Sequence, residues 1–173
     1  MNRILTVTLI VSLSTAAALA QSAQNPFSAD AKQSYTGIKN TLLKAAEKMP
    51  EENYSFRTTP QVRTYGEMIG HVADVQMTLC GIAKGEQNKP VSAGKTSKAD
   101  LAAALKQSFD YCDAVYNSMT DADGAAKVTM FGRQMTKIGV LNFNTMHDNE
   151  MYGTMVAYLR VKGLVPPSSE GRP

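Results

Sequence analysis

The sequence has only two cysteines, two histidines and no tryptophan in 173 residues, so the chemistry available to it is sparse. Two cysteines cannot form a dense disulfide framework, and two histidines alone cannot fill the three or four protein positions of a usual zinc site. Runs of one charge are also missing: 18 Lys+Arg against 15 Asp+Glu leave a formal charge of +3, and the basic residues are scattered. Nucleic acid is therefore not an expected partner, because phosphate binding needs a clustered basic surface.

The first 20 residues are typical of a secretory signal peptide. Arg3 supplies an early positive charge, an apolar run follows, and Ala18-Leu19-Ala20 provides the small side chains of a cleavage site. The apolar run is shorter than the roughly 20 residues that span a bilayer, which disfavours the alternative of a retained membrane anchor. We expect a mature protein that begins at residue 21, is periplasmic or secreted, and has no membrane partner after cleavage.

Hydrophobic periodicity predicts four long helices and almost no strand. The predicted helices cover residues 27–49, 64–85, 97–119 and 137–162. Ser28 is the expected N-cap of the first helix, Thr64 and Glu67 form a capping box at the second, and Ser97 caps the third. Gly163 is expected to close the fourth helix.

Four amphipathic helices of about 20 residues predict an all-α, four-helix bundle. The polar connection over residues 85–96 is long enough, at about 3.3 Å per extended residue, to run the length of a 20-residue helix. A small hairpin is expected within residues 127–135. We expect one bundle domain over residues 21–167 and a flexible tail over residues 168–173.

Both histidines fall on predicted apolar stripes, His71 in the middle of helix two and His147 in the middle of helix four. Both are therefore expected to point into the bundle. An inward imidazole needs a partner for each ring nitrogen, and imidazoles from two helices can converge on one site. Two interpretations stay open: a buried pair hydrogen-bonded to Asn144, a tyrosine or water, and a divalent metal ion held between helices two and four.

Three segments of the chain resemble the DinB superfamily of bacterial metal-binding four-helix bundles. They are RTYGEMIGH at residues 63–71, HDNEMYG at residues 147–153 and YLRVKGLVPPS at residues 158–168. The resemblance implies an up-down-down-up bundle with a long crossover between helices two and three. It also implies a divalent ion bound by three histidines, one on helix two and a His-x-x-x-His pair on helix four. Some relatives are thiol-dependent transferases or isomerases, and many have no known activity.

The sequence departs from this pattern at the third ligand. His71 and His147 match the first two ligands, but the residue one helical turn after His147, on the same face, is Met151. A thioether is a soft, neutral ligand that suits Cu(I) and suits Zn²⁺, Ni²⁺ or Fe²⁺ poorly. The candidate cofactor is a divalent Zn, Ni, Mn or Fe ion, or Cu(I) if Met151 is a ligand, with no metal as the alternative. Three outcomes stay open: an empty site, a weak or soft metal site formed by these three residues, and a site in which a carboxylate replaces the missing histidine.

Asp74 is the best carboxylate candidate, because it follows His71 by three residues and so lies on roughly the same side of helix two. The alternative for Asp74 is an ordinary solvated or helix-flanking acid. Asp148 and Glu150 flank His147 in the sequence but are rotated away from it. They are expected to support a ligand from behind or to lie on the surface.

The two cysteines come level with each other if helices two and three run parallel. Cys80 then lies about 15 residues into helix two and Cys112 about 14 residues into helix three. An exported protein can oxidise such a pair. We therefore hypothesise a disulfide between Cys80 and Cys112, with two free thiols as the alternative.

Three functions from different classes follow. The first is an exported DinB-like protein with a partly degraded metal site and a pocket lined by His71, His147, Met151 and Tyr158. The second is a metal-dependent, thiol-dependent transferase, against which export argues because the thiol cosubstrates of relatives are kept in the cytoplasm. The third is a non-catalytic structural or interaction bundle, including a homodimer, in which the two histidines satisfy each other. The sequence does not identify a small-molecule ligand.

Overall fold

The computed structural model describes residues 24–171, and the predicted signal peptide over residues 1–20 lies outside the described residues. The long helices are α1 (Pro26–Lys48), α2 (Tyr65–Lys84), α3 (Lys98–Ser118) and α4 (Lys137–Val161). A one-turn helix (Asp121–Gly124) and the antiparallel strands β1 (Lys127–Met130) and β2 (Arg133–Thr136) connect α3 to α4. Single 3-10 turns occupy Glu51–Asn53 and Pro167–Ser169. The predicted all-α class is confirmed.

Contacts at the helix ends show that the bundle runs up-down-down-up. The start of α2 meets the end of α1, where the Tyr65 hydroxyl donates to Ala45 O at 2.8 Å. The start of α2 also meets the start of α3, since a Cβ on Gly66 would lie 3.1 Å from Leu101. Helices α2 and α3 are therefore parallel, and residues 85–97 form the long crossover between them. The end of α4 returns to the start of α2, where the Tyr158 hydroxyl donates to the carbonyl before Thr64.

Local capping signals set several helix ends where the sequence predicts them. The Glu67 N–H donates to Thr64 Oγ1 at 3.1 Å while the Thr64 N–H donates to Glu67 Oε2 at 2.6 Å, which completes the capping box of α2. Ser97 caps α3 by accepting the Asp100 N–H at 3.1 Å. Gly85 ends α2 with φ 87°, a left-handed conformation that glycine adopts without strain.

The prediction of Ser28 as the N-cap of α1 is wrong. The helix begins at Pro26, and Ser28 lies inside its first turn. The free amides there are satisfied by Asp121, which accepts the Phe27 N–H at 3.2 Å and the Ser28 N–H at 2.8 Å. The Ser28 hydroxyl donates to the same carboxylate at 2.9 Å. A carboxylate that follows α3 therefore caps α1, and no local stretch of sequence around α1 contains it.

The hairpin and the start of the tail both pack onto the bundle. The predicted hairpin is confirmed, with its turn at Phe131 and Gly132, whose φ values are 49° and 79°. Ser168, predicted to begin a flexible tail, instead donates its N–H to the Tyr152 hydroxyl at 2.9 Å, and that hydroxyl donates to Ser168 Oγ at 2.8 Å. Glu170 pairs with Lys48 of α1. These bonds extend the ordered bundle beyond residue 167.

The bundle core contains a polar layer between α2 and α4. Gln76, Asn144 and Asp148 are completely buried. Gln76 Nε2 donates to Asp148 Oδ2 at 2.8 Å, and Asn144 Nδ2 donates to Gln76 Oε1 at 2.8 Å. Burial raises the pKa of Asp148 well above its ordinary value, because the charged carboxylate would lose its hydration here. Of the two positions expected for Asp148, the surface position is wrong, since Gln76 supplies the partner that makes its burial tolerable.

The hypothesised disulfide is confirmed in the fold. Cys80 of α2 and Cys112 of α3 are bonded, with their Cα atoms 5.5 Å apart, and both are completely buried. Parallel helices bring them level, as the sequence argument required. Within residues 24–171, no helix combines the length and the apolarity needed to cross a bilayer.

Alkylation of the denatured protein without reductant should add no mass, whereas alkylation after reduction should add two adducts. Replacing both cysteines by alanine should lower the free energy of unfolding by about 2–4 kcal/mol, because the unfolded chain then loses a covalent constraint. Intact mass spectrometry and urea unfolding measure the two effects. Two alkylated thiols in the unreduced protein would contradict the disulfide.

Asp121→Ala should lower the free energy of unfolding by about 1–2 kcal/mol, since it leaves the first amides of α1 without their acceptor. Asp110→Ala is the matched control, because Asp110 lies on the exposed side of α3, where it pairs with Lys106. The control substitution should lower the free energy of unfolding by no more than about 0.5 kcal/mol. Urea unfolding of both variants measures the difference, and equal losses would disprove the tertiary cap.

Asp148→Asn should raise the free energy of unfolding at about pH 8 relative to the native protein, and by less at about pH 4. The pKa of an aspartate in the unfolded chain is about 3.9, and burial raises the pKa of Asp148 in the fold. The contribution of Asp148 to stability is therefore lost as pH rises through the folded pKa. The asparagine side chain has the same shape as the aspartate side chain but does not ionise. Urea unfolding at both pH values measures the change, and a pH-independent difference would show that Asp148 is ionised in the fold.

Candidate functional site

The two histidines of the chain meet between α2 and α4. His71 Nε2 and His147 Nε2 are 3.1 Å apart, and the ring centroids are 5.1 Å apart with the planes inclined at 67°. In the neutral pair one ring can donate N–H to the other, with the roles set by the tautomers. The structure thus brings together the two residues that the sequence singles out.

The pair lies at the edge of the α2–α4 interface, and the prediction of both residues in the middle of their stripes is wrong. The completely buried line of α2 passes through Val72 and Gln76, and that of α4 through Asn144 and Asp148. His147 is only partly covered, with 13% of its side chain exposed. The stripe predicted for each helix is rotated away from the face that is buried in the structure. Apolar periodicity gives no weight to polar residues that are buried as hydrogen-bonded partners.

The surroundings keep both imidazoles neutral. Burial lowers the pKa of His71, and the nearby Arg63 guanidinium lowers it further. Burial also lowers the pKa of His147, followed by the proximity of His71. A neutral imidazole has a lone pair with which to bind a metal ion, whereas the protonated ring has none.

Asp148 lies directly behind His147. The Nδ1 atom of His147 is 4.0 Å from Asp148 Oδ1, and neither atom has a hydrogen-bond partner within the described residues. Histidines that bind a metal through one ring nitrogen usually donate the other N–H to a carboxylate or carbonyl oxygen. A small shift of either side chain would make this hydrogen bond, so Asp148 is placed to support His147 from behind.

Met151 lies on α4 one helical turn after His147, at the position that the sequence analysis compares with a third ligand. Met151 is half-buried and packs against the hydrophobic core. Across residues 24–171, no group of three or more His, Cys, Asp or Glu side chains could hold a metal ion. The imidazoles of His71 and His147 are the two metal-binding groups that the structure brings together.

The Asp74 carboxylate forms its hydrogen bonds with the crossover between α2 and α3. Its Oδ1 accepts the N–H groups of Val91 and Ser92 at 2.7 and 2.9 Å, and its Oδ2 accepts the Ser92 hydroxyl at 2.6 Å. These three bonds attach the crossover to α2, so Asp74 is neither a freely solvated acid nor an available metal ligand. Glu150, which lies three residues after His147, is exposed.

The two histidines open onto different recesses. His71 lines a cavity of about 750 Å³ beside α2, and His147 lines a recess of about 500 Å³ on the outer side of α4. Neither recess is lined by Met151 or Tyr158. The Tyr158 hydroxyl instead donates to Arg63 O at 2.8 Å. The predicted pocket lined by all four of these residues is therefore not formed as one space.

Sequence reasoning missed the polar side chains that surround the pair. Gln76 is the buried partner of Asp148, and Arg57, Arg63 and Lys95 line the cavity next to His71. These cations lie in two connecting segments that are far apart in the sequence. No local sequence motif links these three cations, so their proximity is evident only from the fold.

Comparison with known proteins agrees with this architecture. The DinB superfamily model matches residues 35–155. A DinB-like protein from Bacillus cereus is 22% identical, with a TM-score of 0.68, and one from Bacillus subtilis is 19% identical, with a TM-score of 0.66. Each of these two comparisons covers 78% of this chain and 92% of the other.

A more distant structure belongs to an enzyme. A mycothiol-dependent maleylpyruvate isomerase is 12% identical with a TM-score of 0.60, over 75% of this chain and 59% of that one. At this identity the likeness concerns the fold alone. A search of curated protein sequences found no match. Because the family model covers most of the chain and the solved bundles share its fold, this protein belongs to the DinB superfamily.

Proposed function

We propose that this chain is an exported metal-binding protein with a partly degraded DinB-type site between α2 and α4. His71 and His147 are the retained ligands, and Met151 takes the third place. The observation that carries the proposal is the separation of 3.1 Å between the two Nε2 atoms. No catalytic activity is assigned to this site.

The two imidazoles fit a shared metal ion in geometry and in charge. Two nitrogen ligands about 2.0–2.1 Å from a tetrahedral ion are about 3.3 Å apart, close to the observed 3.1 Å. The lowered pKa values of both rings keep them deprotonated at neutral pH, as metal binding requires. His147 additionally has Asp148 behind its second ring nitrogen.

The donor set favours a soft ion. Two imidazoles and a thioether suit Cu(I), whereas Zn²⁺, Ni²⁺, Mn²⁺ and Fe²⁺ prefer a further nitrogen or oxygen ligand. Two carboxylates lie near His71 on α2, and both already accept hydrogen bonds: Asp74 from the crossover and Glu67 from the Thr64 N–H. We therefore expect Cu(I) to bind more tightly than these divalent ions. A bound ion would act as a soft centre that accepts an electron pair from a thiol or another soft ligand.

Export is supported by two separate features. The first 20 residues have the charge, apolar run and small-residue ending of a signal peptide. The disulfide between Cys80 and Cys112 is stable in an oxidising compartment and uncommon in a reducing cytoplasm. We therefore place the mature protein in the periplasm or outside the cell.

Metal binding can be measured on the tag-free mature protein. We expect one equivalent of Cu(I) to bind in an anaerobic competition titration, and the divalent ions to bind more weakly in calorimetry. His71→Ala and His147→Ala should each reduce Cu(I) affinity at least about tenfold, since each removes a nitrogen ligand. No uptake of copper or of the four divalent ions at micromolar concentrations would disprove the proposal.

The role of Met151 has its own test. Met151→His should raise the affinity for Zn²⁺ and Ni²⁺ at least about tenfold, because it restores a third nitrogen ligand one turn after His147. Met146→His is the matched control, since Met146 lies on α4 with 65% of its surface exposed. The control should leave zinc affinity unchanged. Equal effects of the two variants would show that Met151 does not face the metal.

A further inference from the structure

The cavity beside His71 is built from four parts of the chain. It is lined by the segment before α2, by the first turns of α2, by the crossover that follows it and by the first turn of α3. Its volume of about 750 Å³ lies within the range of about 300–1,000 Å³ typical of small-molecule pockets. Tyr54 and Leu101 contribute apolar wall, and His71 stands on the side of the metal site. We call this space the cationic cavity.

Three positively charged side chains line the cationic cavity: Arg57, Arg63 and Lys95. In the part of the chain that the structure describes, none of them forms an ion pair with a carboxylate. The two arginines come from the segment before α2, and the lysine comes from the crossover. Their positive charges therefore converge on one space from two directions.

Two carboxylates also line the cavity, but both are held by fixed donors. Glu67 accepts the Thr64 N–H at 2.6 Å in the capping box, and Asp74 accepts three bonds from the crossover. The Thr64 amide lowers the pKa of Glu67 most, and the positive charges of Arg57 and Arg63 lower it further. The acids thus serve the local structure, and the cations stay free to bind a ligand.

The segments that carry the cations are themselves fixed. The Tyr158 hydroxyl donates to Arg63 O at 2.8 Å, and the N–H groups of Tyr65 and Gly66 donate to Phe56 O and Tyr54 O at 2.9 and 2.8 Å. The crossover is held by Asp74 through Val91 and Ser92, and the Lys95 N–H donates to Ser92 O at 3.0 Å. A backbone held in place lowers the entropy cost of ordering the cations on binding.

We propose that the cationic cavity binds a small organic anion. Its carboxylate or phosphate group is held by Arg57, Arg63 and Lys95, since the guanidinium fork matches the oxygens of both groups. Its apolar part lies against Tyr54 and Leu101, with His71 beside it. This binding needs no metal ion, although His71 lies beside the cavity and is also part of the proposed metal site.

Calorimetry on the mature protein, freed of metal with a chelator, tests the proposal with four related probes. Phenyl phosphate and phenylacetate carry an anionic group on an aromatic ring, whereas benzyl alcohol is neutral and benzylamine is a cation. We expect the anions to bind with one site per chain and at least about tenfold more tightly than the alcohol or the amine. The tighter of the two anions identifies the preferred head group. Anion affinity should fall between about 0.02 M and about 0.5 M NaCl, because salt screens the cations.

Variants assign the binding to this cavity. Arg57→Gln and Arg63→Gln should each weaken binding of the tighter anion several-fold, and the double variant at least about tenfold. Arg133→Gln is the matched control, since Arg133 lies exposed on the hairpin outside the cavity. Lys95→Gln, on a separate segment, provides the same test if an arginine variant fails to fold.

Three results would overturn the proposal: no anion binding, anion binding no tighter than that of benzyl alcohol, and an equal loss in the control variant. Because the chelator removes metal, a failure here leaves the metal titrations untouched. Conversely, a protein that binds no metal can still bind the anion. The two proposals are therefore separable in the same protein sample.

Discussion

The buried hydrogen bond between Gln76 and Asp148 is the constraint on which the candidate site depends. Neither side chain could be buried alone without a large loss of hydration, so each requires the other. Their pairing sets the rotation of α2 against α4. With Asp148 turned inward, its neighbour His147 is turned to the edge of the interface, where it meets His71 with the Nε2 atoms 3.1 Å apart. The half-buried position of the pair, and with it the lowered pKa of both rings, follows from this rotation.

Two connecting segments, the one before α2 and the crossover, complete the surroundings of His71. Asp74 attaches the crossover to α2, and Tyr158 holds the carbonyl of Arg63 in the segment before α2. Arg63 lies just before the start of α2 and Asp74 lies midway along it, and both line the cavity onto which His71 opens. The parallel arrangement of α2 and α3 makes this possible, because the crossover must return along the bundle and so passes the same helix end. The histidine pair and the cationic cavity therefore lie side by side, with His71 common to both.

Local signals proved sufficient for most element boundaries. The capping box of Thr64 and Glu67, the cap at Ser97 and the end at Gly85 each require only residues within one turn. The first turn of α1 is different, because its acceptor is Asp121 and not the neighbouring Ser28. The apolar stripes gave the correct helices but the wrong rotation, since Gln76 and Asp148 are polar residues at fully buried positions.

The sequence by itself determined the helical class, the helix ends that are capped locally, the family, the cysteine pair and the two histidines worth attention. These properties depend on short-range chemistry or on periodicity along one helix. Only the tertiary structure decided which face of each helix is buried, that Asp74 binds the crossover, and that three scattered cations share a cavity. Such features arise from polar groups that satisfy one another across long separations in the chain, and no window of residues contains both partners.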